Sequence, residues 1–441
     1  MPAMPAPPRV PAAPALPPVA AYVGIDWAAT HHDIACQLAG ASAVEAQRVP
    51  HTPEALQAWL AALAQRVAGQ PVAVALETSR GPLAAALLDV PWIVLYPVNP
   101  RSLQRFREVF TPSGAKDDAP DARLLLELLL HHRAKLRPIR PAAEGLRALA
   151  RLVEHRRALV GLRTRLVQQL QAALAEVFPQ ALTWAGADLS APLAVAFLTR
   201  WPTLAALQAE PPAAVQRFYA AHHWRRPALL AARLRAIAAA TPLTTDPALL
   251  SATTPYVQCL VAQLCTLAAG LAPLEEAIAA RFAAEADAAL FAALPGAGPA
   301  LAPRLLVAFG SDRARFPAAA DVQRAAGIAP ITRRSGQTRQ VTWRWQASTF
   351  LRQSFHEFAQ HSIARSVWAR AFYQQQRQRG RSAATAVRAL AFKWIRILWR
   401  CWHDGVPYDE ARYLRALRQR GSPLARLLPP DPAPAPAPAP T

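Results

Sequence analysis

The stretch EGLRALARLVEHRRALVGLRTRLVQQLQAALAEVF, residues 144–178, keeps apolar residues at three- and four-residue spacing over about 35 positions. A helix of that length suits a coiled coil or a long antiparallel pair. A partner of the same character follows at residues 255–285, PYVQCLVAQLCTLAAGLAPLEEAIAARFAAE. Between the two, about 186–246, lies a Pro-punctuated helical insertion. The middle of the chain, 142–286, is therefore expected to be a helical dimerisation-type rod. What precedes and follows it has to fold around other cores.

The preceding region, 21–135, alternates strand and helix signals. AYVGID and DIACQL read as short strands joined by the polar turn WAATHH, a hairpin. PEALQAWLAALAQRV has helical periodicity, PVAVALE reads as a strand, GPLAAALLDV as a short helix and WIVLYPV as another strand. A βββαβα-like order with mixed strand directions predicts an α/β core, so the fold class is α/β plus all-α. The ends, 1–20 and 429–441, are Pro/Ala tails expected to be extended and disordered.

Charge narrows the partners. The formal net charge is +21. Lysine occurs only at Lys116, Lys135 and Lys393, so arginine carries nearly all of the positive charge. From residue 291 onward there are 23 Arg plus Lys against 7 Asp plus Glu, a net of +16. A polyanion, most simply DNA or RNA, should therefore meet the last third; a solvated basic surface or contact with acidic lipids is the plainer account. A GC-rich genome would also favour Ala, Arg and Pro. The four cysteines, Cys36, Cys259, Cys265 and Cys401, lack zinc-type pairing and fit buried thiols in a reducing cytoplasm. The proline-rich start does not form a signal peptide, and every long apolar run is interrupted by Arg, Pro or Gly. The expectation is a cytoplasmic protein with no membrane partner.

The last region, 287–428, opens with ALPGAGPALAPRLLVAFG. The PGAGP turn between apolar helical stretches resembles a helix-hairpin-helix, in which glycines such as Gly296 and Gly298 let backbone amides approach a phosphate. Any tight helix–helix turn could use the same residues. RAAGIAPITRRSGQTRQVTWRW follows, with Ser335 in a basic loop among Arg333, Arg334 and Arg339. Basic, aromatic helices come next, and the helical spacing of their aromatics reads as core before it reads as base stacking.

Four carboxylates stand where chemistry can use them. Asp26 ends the first strand in VGID, and Glu77 ends the third in VALETSRG. Asp118 and Asp121 lie three apart in GAKDDAPDARLLLELL, where an apolar helix begins. Such a set can converge on one or two hard cations for phosphoryl transfer. Each has an ordinary explanation too: a turn after a strand for Asp26, a helix cap or solvent for Glu77, first-turn acids for the pair. His31 and His32 lie near Asp26 in sequence, where either could act as a base or simply belong to the polar turn.

Taken in order, GIDWAATHHD, ALETSRG, YPVNPRSLQRF, SGAKDDAPDARLL, LPGAGPALAPRLL and RAAGIAPITRRSGQTR resemble the insertion-sequence 110 family of transposases. These segments spread over most of residues 22–415. The resemblance implies an RNase H/RuvC-like DEDD domain joined to a C-terminal transposase domain. It places the DEDD set on Asp26, Glu77, Asp118 and Asp121, with Asp117 one register step away, and the family's nucleophilic serine on Ser335. It further implies Mg²⁺ (or Mn²⁺) at the carboxylates and a covalent phosphoserine intermediate. Donor and target DNA, a structured guide RNA from the element's non-coding end, and a dimer or dimer of dimers are the implied partners, in a nucleoid-associated bacterial protein. Two alternatives stay open: a RuvC-like nuclease without serine chemistry, and a non-catalytic nucleic-acid scaffold.

Overall fold

The computed structural model describes residues 17–77, 81–110, 121–139, 142–224, 226–335, 338–344 and 347–428, with the backbone alone at 110, 333–335 and 339. The chain divides into two compact units, 1–141 and 142–441.

The first unit is built on five strands: β1 (Ala21–Trp27), β2 (His31–Leu38), β3 (Glu45–Pro50), β4 (Val72–Leu76) and β5 (Ile93–Pro97). Their order across the sheet is β3-β2-β1-β4-β5. β1, β2 and β3 form an antiparallel meander, while β4 and β5 run parallel to β1. Four helices join them: α1 (Pro53–Arg66), α2 (Pro82–Leu88), α3 (Pro100–Phe110) and α4 (Asp121–His132). This mixed sheet is RNase H-like.

Residue size sorts the helices between the two faces. One face carries Val23, Ile25, Ile34, Val72, Val74 and Leu76, which pack with Trp59 and Leu63 of α1 and Leu83 and Leu87 of α2. On the other, side chains are small: Gly24 and Ala35, with Ala73 and Ala75 beside them. There α4 lies directly on the sheet. A Cβ on Gly24 would stand 2.0 Å from the Ala122 carbonyl oxygen and 2.6 Å from the Leu126 amide nitrogen. Only a glycine permits that approach.

β3 was not among the segments that read as strands. It is an edge strand with five of its six residues exposed, so it shows polar residues where an interior strand would show apolar ones. The WAATHH turn is also shorter than it reads: β2 begins at His31, and His32 is fully buried.

In the second unit α5 (Glu144–Val177) is followed by five shorter helices, α6 (Ala181–Trp184), α7 (Pro192–Arg200), α8 (Leu204–Gln208), α9 (Pro212–Ala221) and α10 (Pro227–Ala239). Then comes α11 (Pro247–Ala283), which runs antiparallel to α5. It starts eight residues before the apolar stretch that announces it and runs through Pro255 and Pro273. Both prolines are exposed, so water can satisfy the carbonyls they leave without donors.

The pair spans two cores. At one end Leu166, Leu170 and Leu174 meet Val257, Leu260 and Leu264 together with Phe197, Trp201 and Tyr219 of the insertion. At the other, Leu146, Leu149, Val153 and Ile278 join the C-terminal helices. Those are α12 (Ala288–Ala292), α13 (Gly298–Phe309), α14 (Ala319–Ala325), α15 (Thr349–Arg365), α16 (Val367–Gln378), α17 (Ala383–Asp404) and α18 (Glu410–Gln419). By length and composition α11 could cross a membrane, but its apolar face is used against α5 and in both cores.

Aromatic residues fill the C-terminal core. Phe309, Phe355, Phe358, Trp368, Trp394 and Trp402 are fully buried. The indole N–H groups are satisfied: Trp394 donates to Ser362 Oγ at 2.8 Å, Trp402 to the Gly310 carbonyl at 2.8 Å and Trp368 to Tyr408 Oη at 2.7 Å. The cysteines correct an expectation. All four are free, but only Cys36 is buried; Cys259 and Cys265 are exposed on α11, on the side turned from α5, and Cys401 is half-buried.

The serine segment is also not a plain loop. β6 (Ile331–Ser335) and β7 (Thr338–Thr342) form an antiparallel hairpin in which Ser335, the last residue of β6, pairs with Thr338. β-branched Ile331, Thr332, Val341 and Thr342 suit such a ribbon, and the arginines between them mask the pattern.

Candidate active site

Strand register brings the first two carboxylates together. β1 and β4 are parallel, and Ile25 pairs with Leu76 as the last rung, so Asp26 and Glu77 follow side by side at the ends of adjacent strands. Alternation along β1 puts Asp26 on the same face as Gly24, the face that α4 covers. Asp121 is the first residue of α4. Because Gly24 admits the helix backbone at Ala122, the neighbouring Asp121 is brought toward Asp26. An acidic residue also suits that position through the helix dipole.

The electrostatics register this convergence. Asp26 is half-buried, and its pKa is pushed from 3.8 up to about 6. Burial is the main cause, followed by the charges of Asp121, Glu77 and Asp33, with Arg107 pulling the other way. Arg107 of α3 donates from Nη2 to Asp121 Oδ1.

Asp33 escaped the sequence reading. In the β1–β2 hairpin it is the register partner of Asp26, and Arg48 holds it with Nε at 2.8 Å and Nη2 at 3.3 Å. Had the hairpin turn been known to be Ala28–Thr30, the register would have revealed it. His32 lies one residue before Asp33 on β2, so alternation turns it to the opposite face. Its Nε2 is 2.9 Å from His51 Nδ1, and burial beside His51 lowers its pKa. Buried on that opposite face, it is turned away from the carboxylates.

Asp118 and its neighbour Asp117 lie outside the described residues. Among the described residues, no group of three His, Cys, Asp or Glu side chains closes tightly enough to hold a metal ion. Asp26, Glu77 and Asp121 are thus gathered and electrostatically coupled, but not clasped.

The second unit carries Ser335, and the backbone of Arg333, Arg334 and Arg339 lies in the same hairpin. Their side chains lie outside the description. Gly296 and Gly298 form the turn between α12 and α13 with φ of +82° and +54°. Gly296 has a packing reason to be glycine, since a Cβ there would stand 2.9 Å from the His361 carbonyl oxygen of α15. At Gly298 the space is open.

Two family models match the chain. One, for IS110-type DEDD transposases, covers residues 23–179; the other, described as transposase IS116/IS110/IS902 family, covers 288–374. A Streptomyces coelicolor protein, named as the mini-circle transposase for IS117, is 30% identical over 408 residues, 91% of this chain and 98% of its own length. This chain belongs to the IS116/IS110/IS902 transposase family. It is also similar, at 27% identity over 83% of its length and 91% of the relative's, to a 42 kDa protein of insertion element IS900 from Mycobacterium paratuberculosis. The first match of this IS110-type transposase spans Asp26, Glu77 and Asp121, and the second spans the hairpin that bears Ser335.

Proposed function

We propose that this insertion-sequence transposase cuts and rejoins DNA with two sets of groups, the carboxylates of its first unit and Ser335 of its second. The observation that carries the reading is the convergence of Asp26, Glu77 and Asp121, which three separate elements bring to the ends of β1 and β4 and the start of α4. Three carboxylates from separate elements are crowded against a half-buried fourth, an arrangement that costs stability unless a cation relieves it. The donor set fits a hard divalent ion, since all its ligands are carboxylate oxygens. Asp26, Glu77 and Asp121, with Asp118 by family resemblance, would hold Mg²⁺ or Mn²⁺. Such an ion supplies charge stabilisation for a phosphorane-like transition state.

In this reading Ser335 Oγ attacks a DNA phosphorus. The Oγ–P bond forms as the bond from phosphorus to a deoxyribose oxygen breaks. The serine proton passes to a base, and the leaving sugar oxygen takes one up. The resulting phosphoserine ester keeps the energy of the phosphodiester, so a second DNA hydroxyl can displace the serine and restore it. Arg333, Arg334 and Arg339 would grip the non-bridging oxygens. Gly298, at the open turn before α13, and Gly296 beside it would bring backbone amides to a neighbouring phosphate. The excess positive charge from residue 291 onward favours a nucleic-acid surface. The family resemblance implies a structured guide RNA whose pairing chooses the donor and target sites. The long α5–α11 pair supplies an exposed face for a homodimer or dimer of dimers.

Ser335→Ala decides between this and a nuclease that needs no serine. The variant should bind DNA as the wild type does, yet form no protein–DNA adduct on denaturing gels and recombine no donor–target plasmid pair. Normal recombination by that variant would remove Ser335 from the chemistry.

A further inference from the structure

Arg107 is the cation that Asp121 holds. It sits on α3, one helical turn after the buried Leu103, so the residue that anchors the helix also turns Arg107 toward α4. There it pairs with Asp121, and among the described residues it is the group that lowers the pKa of Asp26 against burial and three carboxylates. The side chain of Arg107 keeps 39% of its surface exposed, so this ion pair lies at the mouth of the site and not beneath it.

We propose that Arg107 is a stand-in cation that holds Asp121 in the metal-free protein, releases it when a divalent ion binds, and then grips a phosphate of the incoming DNA strand. The inference rests on the carboxylate site proposed above. Arg107 holds Asp121 Oδ1, and a divalent ion drawn to that same oxygen would repel the guanidinium, so the two cations compete there. A displaced guanidinium at an exposed mouth has five donors and a planar fork suited to phosphate oxygens. The pairing with Asp121 is also partly exposed, which keeps it weak enough to exchange.

The experiment titrates the full-length, metal-free protein with Mn²⁺ and separately measures binding of a short DNA duplex against salt. Arg107→Gln should bind Mn²⁺ about threefold to tenfold more tightly than the wild type, because the competitor is gone. Arg107→Lys, which keeps the charge, should stay near the wild type. With Mg²⁺ present, Arg107→Gln should lower the salt slope of DNA binding by about one ion; without Mg²⁺ the two slopes should agree. Unchanged or weaker Mn²⁺ binding by Arg107→Gln would overturn the exchange, as would slopes that differ equally with and without Mg²⁺. Asp26→Asn separates the premises: tight Mn²⁺ binding that survives it defeats the carboxylate site itself, whatever Arg107 does.

Discussion

Asp26→Asn should abolish strand cutting and, at the same time, make the metal-free protein harder to unfold. Both outcomes have one cause. In the folded chain Asp26 takes up a proton below about 6, whereas an exposed aspartate does so near 3.8. Its pKa is raised, so between these values the native state binds more protons than the unfolded one. Stability contributed by this group is therefore fully present below about 4 and is lost as the pH rises through about 6. At pH 8 the charged carboxylate sits half-buried among Asp121, Glu77 and Asp33 and works against the fold. Asparagine keeps the shape and removes the charge. At pH 8 without metal, the melting temperature should rise by about 2–5 °C, a gain that shrinks toward zero as the pH falls below about 4.

Divalent ions complete the test. Mg²⁺ should raise the melting temperature of the wild type and leave Asp26→Asn unmoved, because only a native state that binds the ion is stabilised by it. Cutting should fall by about three orders of magnitude or more, the loss of several kcal/mol of transition-state stabilisation. A variant that melts at a lower temperature than the wild type at pH 8 would show that Asp26 is a structural acid. One that still cuts would take it out of the site.

The positions of Asp26 and Glu77 were legible because each lies at the close of an apolar run that is easy to read as a strand, and parallel neighbours bring those ends together. Asp121 was legible from the apolar helix it begins. The contacts that make them a site were not. Asp33 depends on a hairpin register that a turn of unknown length conceals. Arg107 belongs to a basic helix whose sequence gives no sign of which arginine faces α4. The same limit applies to the hairpin at Ser335, where Arg333, Arg334 and Arg339 mask the strands, and to Cys259 and Cys265. A thiol in an apolar helix reads as buried, but α11 turns one side to α5 and the other to solvent. Aromatic residues in the C-terminal helices were easier, because helical spacing marks a core face and rings such as Phe355, Trp368 and Trp394 are buried in it.

Gly24 is the residue whose importance the sequence least announces, and Gly24→Ala should have the largest structural effect of any single methylene in the first unit. The added Cβ would lie 2.0 Å from the Ala122 carbonyl oxygen, 2.6 Å from the Leu126 amide nitrogen and 3.1 Å from the Ala122 carbonyl carbon. All three are backbone atoms of α4, so no rotamer change makes room; the helix has to lift or the strand has to bend. Overpacking of this kind costs about 3 kcal/mol or more. Lifting α4 also carries Asp121 away from Asp26, and a misplacement of about 1 Å at reacting groups lowers a rate about a hundredfold.

Gly270→Ala is the matching control. Gly270 lies inside α11 with nothing within 4 Å of the position a Cβ would take. There the same change should be neutral or stabilising by up to about 1 kcal/mol, since alanine is the better helix former. Gly24→Ala should melt earlier, bind Mn²⁺ more weakly and cut at least about a hundredfold more slowly. Its DNA affinity should stay close to wild type, because the basic last third is untouched. If Gly24→Ala instead melts and cuts like Gly270→Ala, then α4 does not rest on β1, and the path by which Asp121 reaches Asp26 has to be sought elsewhere.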